Sequence, residues 1–267
     1  MVTVKPEGAE PLSKLPRPDY VLHEMKRTPF QRRLEALRAQ RTFYDTEMSS
    51  IARFIRPRRW KRGTDKPGQG ENGRMASDII NTTGVIASRT LKSGMQSGVS
   101  SPARPWFKLT TPGDPELAEH GEVKQYLTTV ARIMATVFAR SNIYNSLHQE
   151  YGDLGDFGTS CMMIDENFRD VIRCHVYSPG TYYLAADGEG KISTVYREFP
   201  MTVLAMMQKW GDRCSEQVKT LYNSGSTEAY IDIVEAIEPN MDQVRGEPGV
   251  RGMPFVRVYF EKGANSE

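Results

Sequence analysis

The chain is poor in the residues from which catalytic centres are most often built. It carries three cysteines and four histidines in 267 residues. Cys161, Cys174 and Cys214 are odd in number and show no C-x-x-C spacing, which predicts reduced thiols in a cytosolic protein and no disulfide framework. His23, His120, His148 and His175 are scattered, and none stands in H-E-x-x-H or beside a cysteine pair. His175 alternates with Arg173 and Tyr177, a pattern that predicts a structural histidine on a strand face. There is no Walker lysine and no G-x-S-x-G elbow. These absences argue against zinc peptidases, P-loop nucleotidases and α/β-hydrolases; the expectation is a protein that is not an enzyme, with no metal and no cofactor. No stretch approaches ~18 consecutive apolar residues, so neither a signal peptide nor a membrane span is expected.

What is present suffices for a core. At 30.2 kDa and 39% hydrophobic residues, folding buries roughly three-quarters of the extended chain's surface, enough for one large or two small domains. The formal net charge of +2 hides a segregation: residues 1–62 hold 15 Lys and Arg against 7 Asp and Glu, the remainder 20 against 26. In residues 53–62, RFIRPRRWKR, the basic residues Arg53, Arg56, Arg58, Arg59, Lys61 and Arg62 stand without an acid, with Phe54 and Trp60 between them. Such a run suits phosphates, an acidic protein neighbour or a solvated face.

The order of patterns predicts an α+β fold: a flexible arm over residues 1–27, a helical region over 28–159, and an antiparallel β-rich region with two short helices over 160–267. Thr28-Pro29 starts the first helix, and Phe30, Leu34, Leu37, Tyr44, Met48, Ile51 and Ile55 form its apolar stripe, broken only by Arg41, until Pro57. Residues 63–74 are a loop whose Gly68, Gly70 and Gly73 match G-x-G-x-x-G without the strand that a dinucleotide site requires.

In the next helix Ile80, Gly84, Ala87, Leu91, Gly94 and Gly98 line one face. Glycine inside a helix costs roughly 1 kcal/mol against alanine, so this seam predicts the close approach of another backbone, and Gly94→Leu is expected to overpack it. Pro102 and Pro105 end the helix, and Trp106 follows as an anchor expected to be buried.

Asp114-Pro115 caps a further helix, Val123, Leu127, Val130, Met134 and Val137 make another stripe, and Ser141-Asn142 breaks and recaps the chain. The glycine-rich stretch around Asp153 and Asp156 reads as a helix-to-strand connection, since calcium-loop spacing is missing. Beyond it the period becomes alternating. One hairpin is expected to turn at Glu166-Asn167 and a second at Asp187-Gly-Glu-Gly190, with further strands over residues 228–238 and 253–261.

Taken in order, several of these pieces resemble one family. A first helix closed by a Pro-Arg run, the Thr/Ser/Gly-rich helix, Ser101-Pro-x-x-Pro-Trp-Phe-x-Leu, Arg140-Ser-Asn, Asp153-Leu-Gly-Asp-Phe-Gly-Thr and Tyr182-Tyr-Leu-Ala-Ala-Asp-Gly-Glu-Gly-Lys-Ile are similar to head-to-tail connector (portal) proteins of short-tailed, T7-like phages. The resemblance implies a structural subunit of a ring of twelve at one capsid vertex, through which double-stranded DNA is packaged and ejected. It implies terminase, capsid, scaffold and tail adaptor as partners, no membrane, and residence in the virion after assembly in the host cytoplasm. Family members are about twice this length, so the chain corresponds to a truncated N-terminal half with a wing-like β region, expected to form monomers or small heterogeneous oligomers. The alternative is a free-standing basic DNA-associated protein or a metal-dependent nuclease with dispersed acidic ligands.

Overall fold

The computed structural model describes residues 27–63, 65–66 and 79–262. The arm over residues 1–26 and the Gly68, Gly70, Gly73 pattern lie outside them. In chain order come helices α1 (Arg27–Phe54), α2 (Thr83–Val99), α3 (Pro115–Glu119), α4 (Gly121–Arg140) and α5 (Ile143–Phe157), then strands β1 (Met162–Asn167), β2 (Val171–Val176), β3 (Tyr182–Ala186) and β4 (Ile192–Thr202). Helices α6 (Val203–Trp210) and α7 (Glu216–Asn223) precede β5 (Tyr230–Pro239) and β6 (Phe255–Glu261). The fold is α+β, with a two-stranded β1-β2 hairpin and a four-stranded antiparallel sheet ordered β3-β4-β5-β6.

The larger sheet is covered on both faces because its strands alternate. Tyr183, Tyr196, Val234 and Ala236 point to one side, where Phe30, Leu34 and Leu37 of α1 pack on them. Ile233 and Phe199 point to the other and meet Val203, Met206 and Val218 of α6 and α7. Both short helices start at side-chain caps: Thr202 accepts from the Ala205 amide at 3.3 Å, and Ser215 from the Val218 amide at 3.3 Å. Each N-cap stabilises by about 1 kcal/mol.

Helix α1 spans 28 residues, about 42 Å at 1.5 Å per residue. Its first half belongs to the sheet; its second half, through Met48, Ile51 and Ala52, packs with Trp60 and Phe157. The change of partner falls at Arg41, the polar break in the stripe. Its guanidinium lies 4.0 Å from the centre of the Tyr183 ring and donates to the Gly180 carbonyl at 2.8 Å. Tyr44, counted in the stripe on spacing, is 60% exposed.

The remaining helices form a looser layer. Helix α2 runs along α5, and the close approach there is made by glycines of α5: a Cβ at Gly155 would stand 2.6 Å from Leu91 Cδ2, and one at Gly152 would stand 2.7 Å from Arg56 Nη1. At the α4-α5 elbow Asn142 does not cap the helix. Its side chain instead brackets Cys174 of β2, accepting from its amide at 2.9 Å and donating to its carbonyl at 2.7 Å, as a neighbouring strand would.

The turn of the first hairpin is displaced from its expected place. Asn167 ends β1, and its side chain accepts from the amides of Arg169 and Asp170 at 2.8 and 3.0 Å, so residues 168–170 make the turn and Phe168 is exposed. An Asx-type turn three residues long satisfies the backbone better than a two-residue turn at Glu166-Asn167, which lacks glycine. The second hairpin turns where its sequence predicts, with the Asp187 carboxylate accepting from the Glu189 and Lys191 amides.

Candidate functional site

The basic run begins in the last turn of α1 and crosses to the sheet. Backbone bonds from Ile55 and Arg56 to Ile51 and Ala52 extend the helix slightly, Pro57 stops it, and the Lys61 amide then bonds the Pro179 carbonyl at 3.1 Å. At that crossing Gly180 has φ of 94°, and any Cβ there would strike the Lys61 carbonyl. Trp60 is 4% exposed, sunk between Ala52 and Phe157. The run is therefore pinned along its length.

Its six cations divide into two groups. Arg56 and Arg59 turn inward onto the end of α5. Arg56 reaches Asp153 and Asp156, each at 3.1 Å, and Arg59 Nε reaches both oxygens of Asp153 at 2.8 and 3.0 Å while its Nη2 also bonds Asp153. Arg59 continues to Ser178 Oγ at 3.2 Å and the Tyr177 carbonyl at 2.9 Å, and Ser88 of α2 donates to Asp156 at 2.8 Å. Asp153 is fully buried. One cluster thus joins the end of α1, α2, α5 and the segment that follows β2, and it explains the Asp-Leu-Gly-Asp spacing: Asp153 and Asp156 share a helix face, and the adjacent glycines let the arginines and α2 come close. These two carboxylates hold arginines, leaving neither as an open metal ligand. Arg53, Arg58, Lys61 and Arg62 remain exposed, with the Arg53 guanidinium 5.8 Å from the Phe54 ring centre.

The seam residues Ile80, Gly84, Ala87, Leu91, Gly94 and Gly98 lie on or beside the outward side of α2. A Cβ at Gly94 or Gly98 would meet nothing within 4 Å, and Ile80 is 98% exposed. Gly84, 3.6 Å from Ile55, and Leu91, against Gly155, touch the rest of the chain. The overpacking expected of Gly94→Leu has no basis inside one chain. Trp106 is partly buried: its ring stacks on Phe138 at 6.1 Å, its Nε1 donates to Tyr144 Oη at 3.3 Å, and Phe107 meets it edge-on at 5.0 Å.

The other chemistry-bearing residues are structural in their contacts. His175 is exposed on β2. The three cysteines are free thiols; burial, aided by Glu150, pushes Cys161 up to about 11, and burial raises Cys174 and Cys214 as well. Raised thiols are poor nucleophiles at neutral pH. Among the described residues no group of three or more His, Cys, Asp or Glu is placed to hold a metal ion. Sequence reasoning missed Glu235, 2% exposed on β5 and held by Arg257 at 2.6 Å, Tyr259 at 2.9 Å and Arg197 at 3.5 Å. It also missed Glu198 on β4, bonded by Arg38, Tyr183 and Lys262. The available signal for Glu235 was an acid between Val234 and Ala236 inside a strand, whereas Glu198, next to Arg197, carried no such signal.

The site thus combines a pinned basic crossing, a covered sheet and a helical layer whose small-residue face is turned outward. Residues 27–267 match the family model described as bacteriophage head to tail connecting protein, and the chain belongs to that family. It is 38% identical over 245 residues to the portal protein of Salmonella phage epsilon15, covering 91% of this chain and 44% of the relative. It is likewise 38% identical over 230 residues to a probable portal protein of Bordetella phage BPP-1, covering 86% of this chain and 41% of the relative. The chain thus spans less than half the length of these curated relatives.

Proposed function

We propose that this chain is part of a portal subunit, a structural and non-catalytic protomer of a ring at one capsid vertex that encloses the passage for double-stranded DNA during packaging and ejection. In this reading the ring has twelve subunits, with terminase, capsid, scaffold and tail adaptor proteins as neighbours. Its place is the virion, reached from the host cytoplasm during assembly. No helix among the described residues is long and apolar enough to cross a membrane.

The observation that carries the proposal beyond family membership is the outer face of α2. The helix has Arg89 and Lys92 as its charged residues and no acid. Its outward positions include Ile86 at 58% exposure, Val99 at 60%, Ala87, Gly94 and Gly98. A solvated surface is normally mixed in charge, whereas a smooth, small-residue face suits a neighbouring protomer. In a ring that contact is heterologous, so α2 meets a different face of the next copy.

Sedimentation velocity over a range of concentrations tests this. Gly94→Leu and Ile86→Asp are expected to reduce self-association while leaving the unfolding free energy of the single chain unchanged or, for Gly94→Leu, raised by up to about 1 kcal/mol of helix propensity. Self-association that both variants leave intact would remove α2 from the interface. A homogeneous ring mass for the chain alone would place the closing contact within these residues.

A further inference from the structure

A polar cleft of about 420 Å³ opens between the middle of α1 and the crossing segment, away from the Asp153 cluster. One wall is a single helical face, Arg38, Arg41, Thr42, Asp45, Thr46 and Ser49; Arg62, Gly63, Tyr183, Glu198 and Lys262 complete the lining with Trp60 and Gly180. Four cations stand there against two carboxylates. Both carboxylates are already engaged: Glu198 accepts two bonds from Arg38 and one from Tyr183 at 3.1 Å, with Lys262 at 3.2 Å, and Asp45 lies 2.8 Å from Arg41. Burial pushes the Glu198 carboxyl up, but the Arg38 and Lys262 contacts outweigh it and hold the group below its ordinary range.

The pairing leaves positive charge over. The Arg62 guanidinium lies 5.7 Å from the Trp60 ring centre and makes no ion pair among the described residues, the Asp65 carboxylate accepting from the Arg62 backbone amide at 2.9 Å instead, and Lys262 keeps donors beyond its one contact. Arg41 Nε and Asp45 Oδ1 are buried without a well-aligned hydrogen bond, although they face each other across 2.8 Å. Of the two, only the Arg41 donor can turn to an oxyanion, since Asp45 Oδ1 is itself an acceptor. The hydroxyls of Thr42, Thr46 and Ser49 bond carbonyls of their own helix and can rotate toward a guest.

We propose that this cleft binds a phosphate group, with Arg62 and Lys262 as the primary donors and the α1 hydroxyls beside them. A doubly charged, tetrahedral oxyanion matches an excess of two cations and the mixture of guanidinium, ammonium and hydroxyl donors. The phosphate can belong to a nucleic-acid backbone or to a small free anion. The site is separate from the α2 face, so a chain that fails to self-associate still binds phosphate.

Calorimetric titration with inorganic phosphate and with pyrophosphate, at ionic strength fixed with chloride, is the test. The wild-type chain is expected to bind saturably, and Arg62→Ala with Lys262→Ala to weaken binding by about tenfold or more, since each charge-assisted bond is worth at least that factor. Thr46→Glu, which adds a carboxylate at the rim and keeps helix propensity, is expected to weaken binding as well; Arg58→Ala, outside the cleft, is expected to leave it unchanged. If short duplex DNA displaces pyrophosphate, the natural source is a nucleic acid; if DNA binds without displacing it, the source is a free anion. No saturable binding by the wild type, or wild-type affinity in the double variant and in Thr46→Glu, overturns the proposal.

Discussion

The four-stranded sheet with its covering helices and the layer of α2, α4 and α5 use similar apolar stripes to different ends. Around the sheet the stripes are consumed: Tyr196, Val203, Met206, Val218, Ile233 and Val234 are essentially inaccessible. In the layer they are half used. Helix α4 has twenty residues and none of them is buried, α2 buries only Ser88, and Tyr126 and Ile133 remain 68% and 58% exposed. The sheet region buries its stripes within one chain, whereas the layer leaves much of its apolar surface exposed. What couples the two is the Arg56, Arg59, Asp153 cluster and the long α1 that passes between them.

Breaking that coupling is expected to have the largest effect. Asp153→Ala leaves two inward-facing guanidinium groups without their shared anion, and removal of one partner of a buried pair costs about 3–5 kcal/mol. Urea unfolding measures it. A loss below about 1 kcal/mol would mean that solvent reaches the arginines as readily as Asp153 does.

The contrast between the regions can be measured on one residue type. Met206 in α6 is 1% exposed and Met134 in α4 is half-buried. Met206→Ala is expected to cost about 2–5 kcal/mol, Met134→Ala about 1 kcal/mol or less. Equal losses would refute the division into a closed and an open region. Self-association under the assay conditions would raise the Met134 cost with protein concentration, which links this experiment to the assembly reading.

Trp106 falls between these extremes. A fully buried tryptophan would lose about 3–5 kcal/mol on truncation to alanine, but a partly exposed ring that stacks on Phe138 and donates to Tyr144 is expected to lose about 1–2 kcal/mol. Acrylamide should quench part of its fluorescence. Complete protection from quenching would show the Trp106 ring to be covered in solution.

Much of the secondary structure was legible because local rules decided it. Thr202, Ser215 and Asp114 each stand where a cap is needed, and Asp187 forms the turn that its sequence announces. What failed did so for tertiary reasons. The glycines of α2 and the glycines of α5 look alike on spacing, yet a Cβ would clash only at Gly152 and Gly155 while Gly84 makes an ordinary contact with Ile55, and which helix supplies the close approach depends on how two helices are rotated. In the basic run, alternation of burial separates Arg56 and Arg59 from Arg58 and Lys61, and that depends on carboxylates almost a hundred positions away. The cleft was not visible at all, because Arg38, Arg62 and Lys262 meet only through the sheet.

The smallest expected effect is a dependence on pH that belongs to the layer. His148 on α5 has a buried Nδ1 without a hydrogen-bond partner, and burial first, then the charges of Lys92 and Arg56, lowers its pKa below 6.5. A histidine depressed in the folded state binds fewer protons there than in the unfolded chain, so stability rises with pH through this window. The contribution is complete above the unfolded value and is lost as pH falls through the folded one. His148→Gln should therefore flatten the stability profile between about pH 5 and 7, near the ordinary histidine range, with little change at pH 8. The sheet holds none of this charge cluster, so a probe confined to Trp210, beside Tyr259 on the sheet, should report the slope only as far as unfolding is shared between the two regions. If Trp106 and Trp210 report identical pH profiles, the cluster at Asp153 couples the regions fully; a slope seen by Trp106 alone would show the layer opening first.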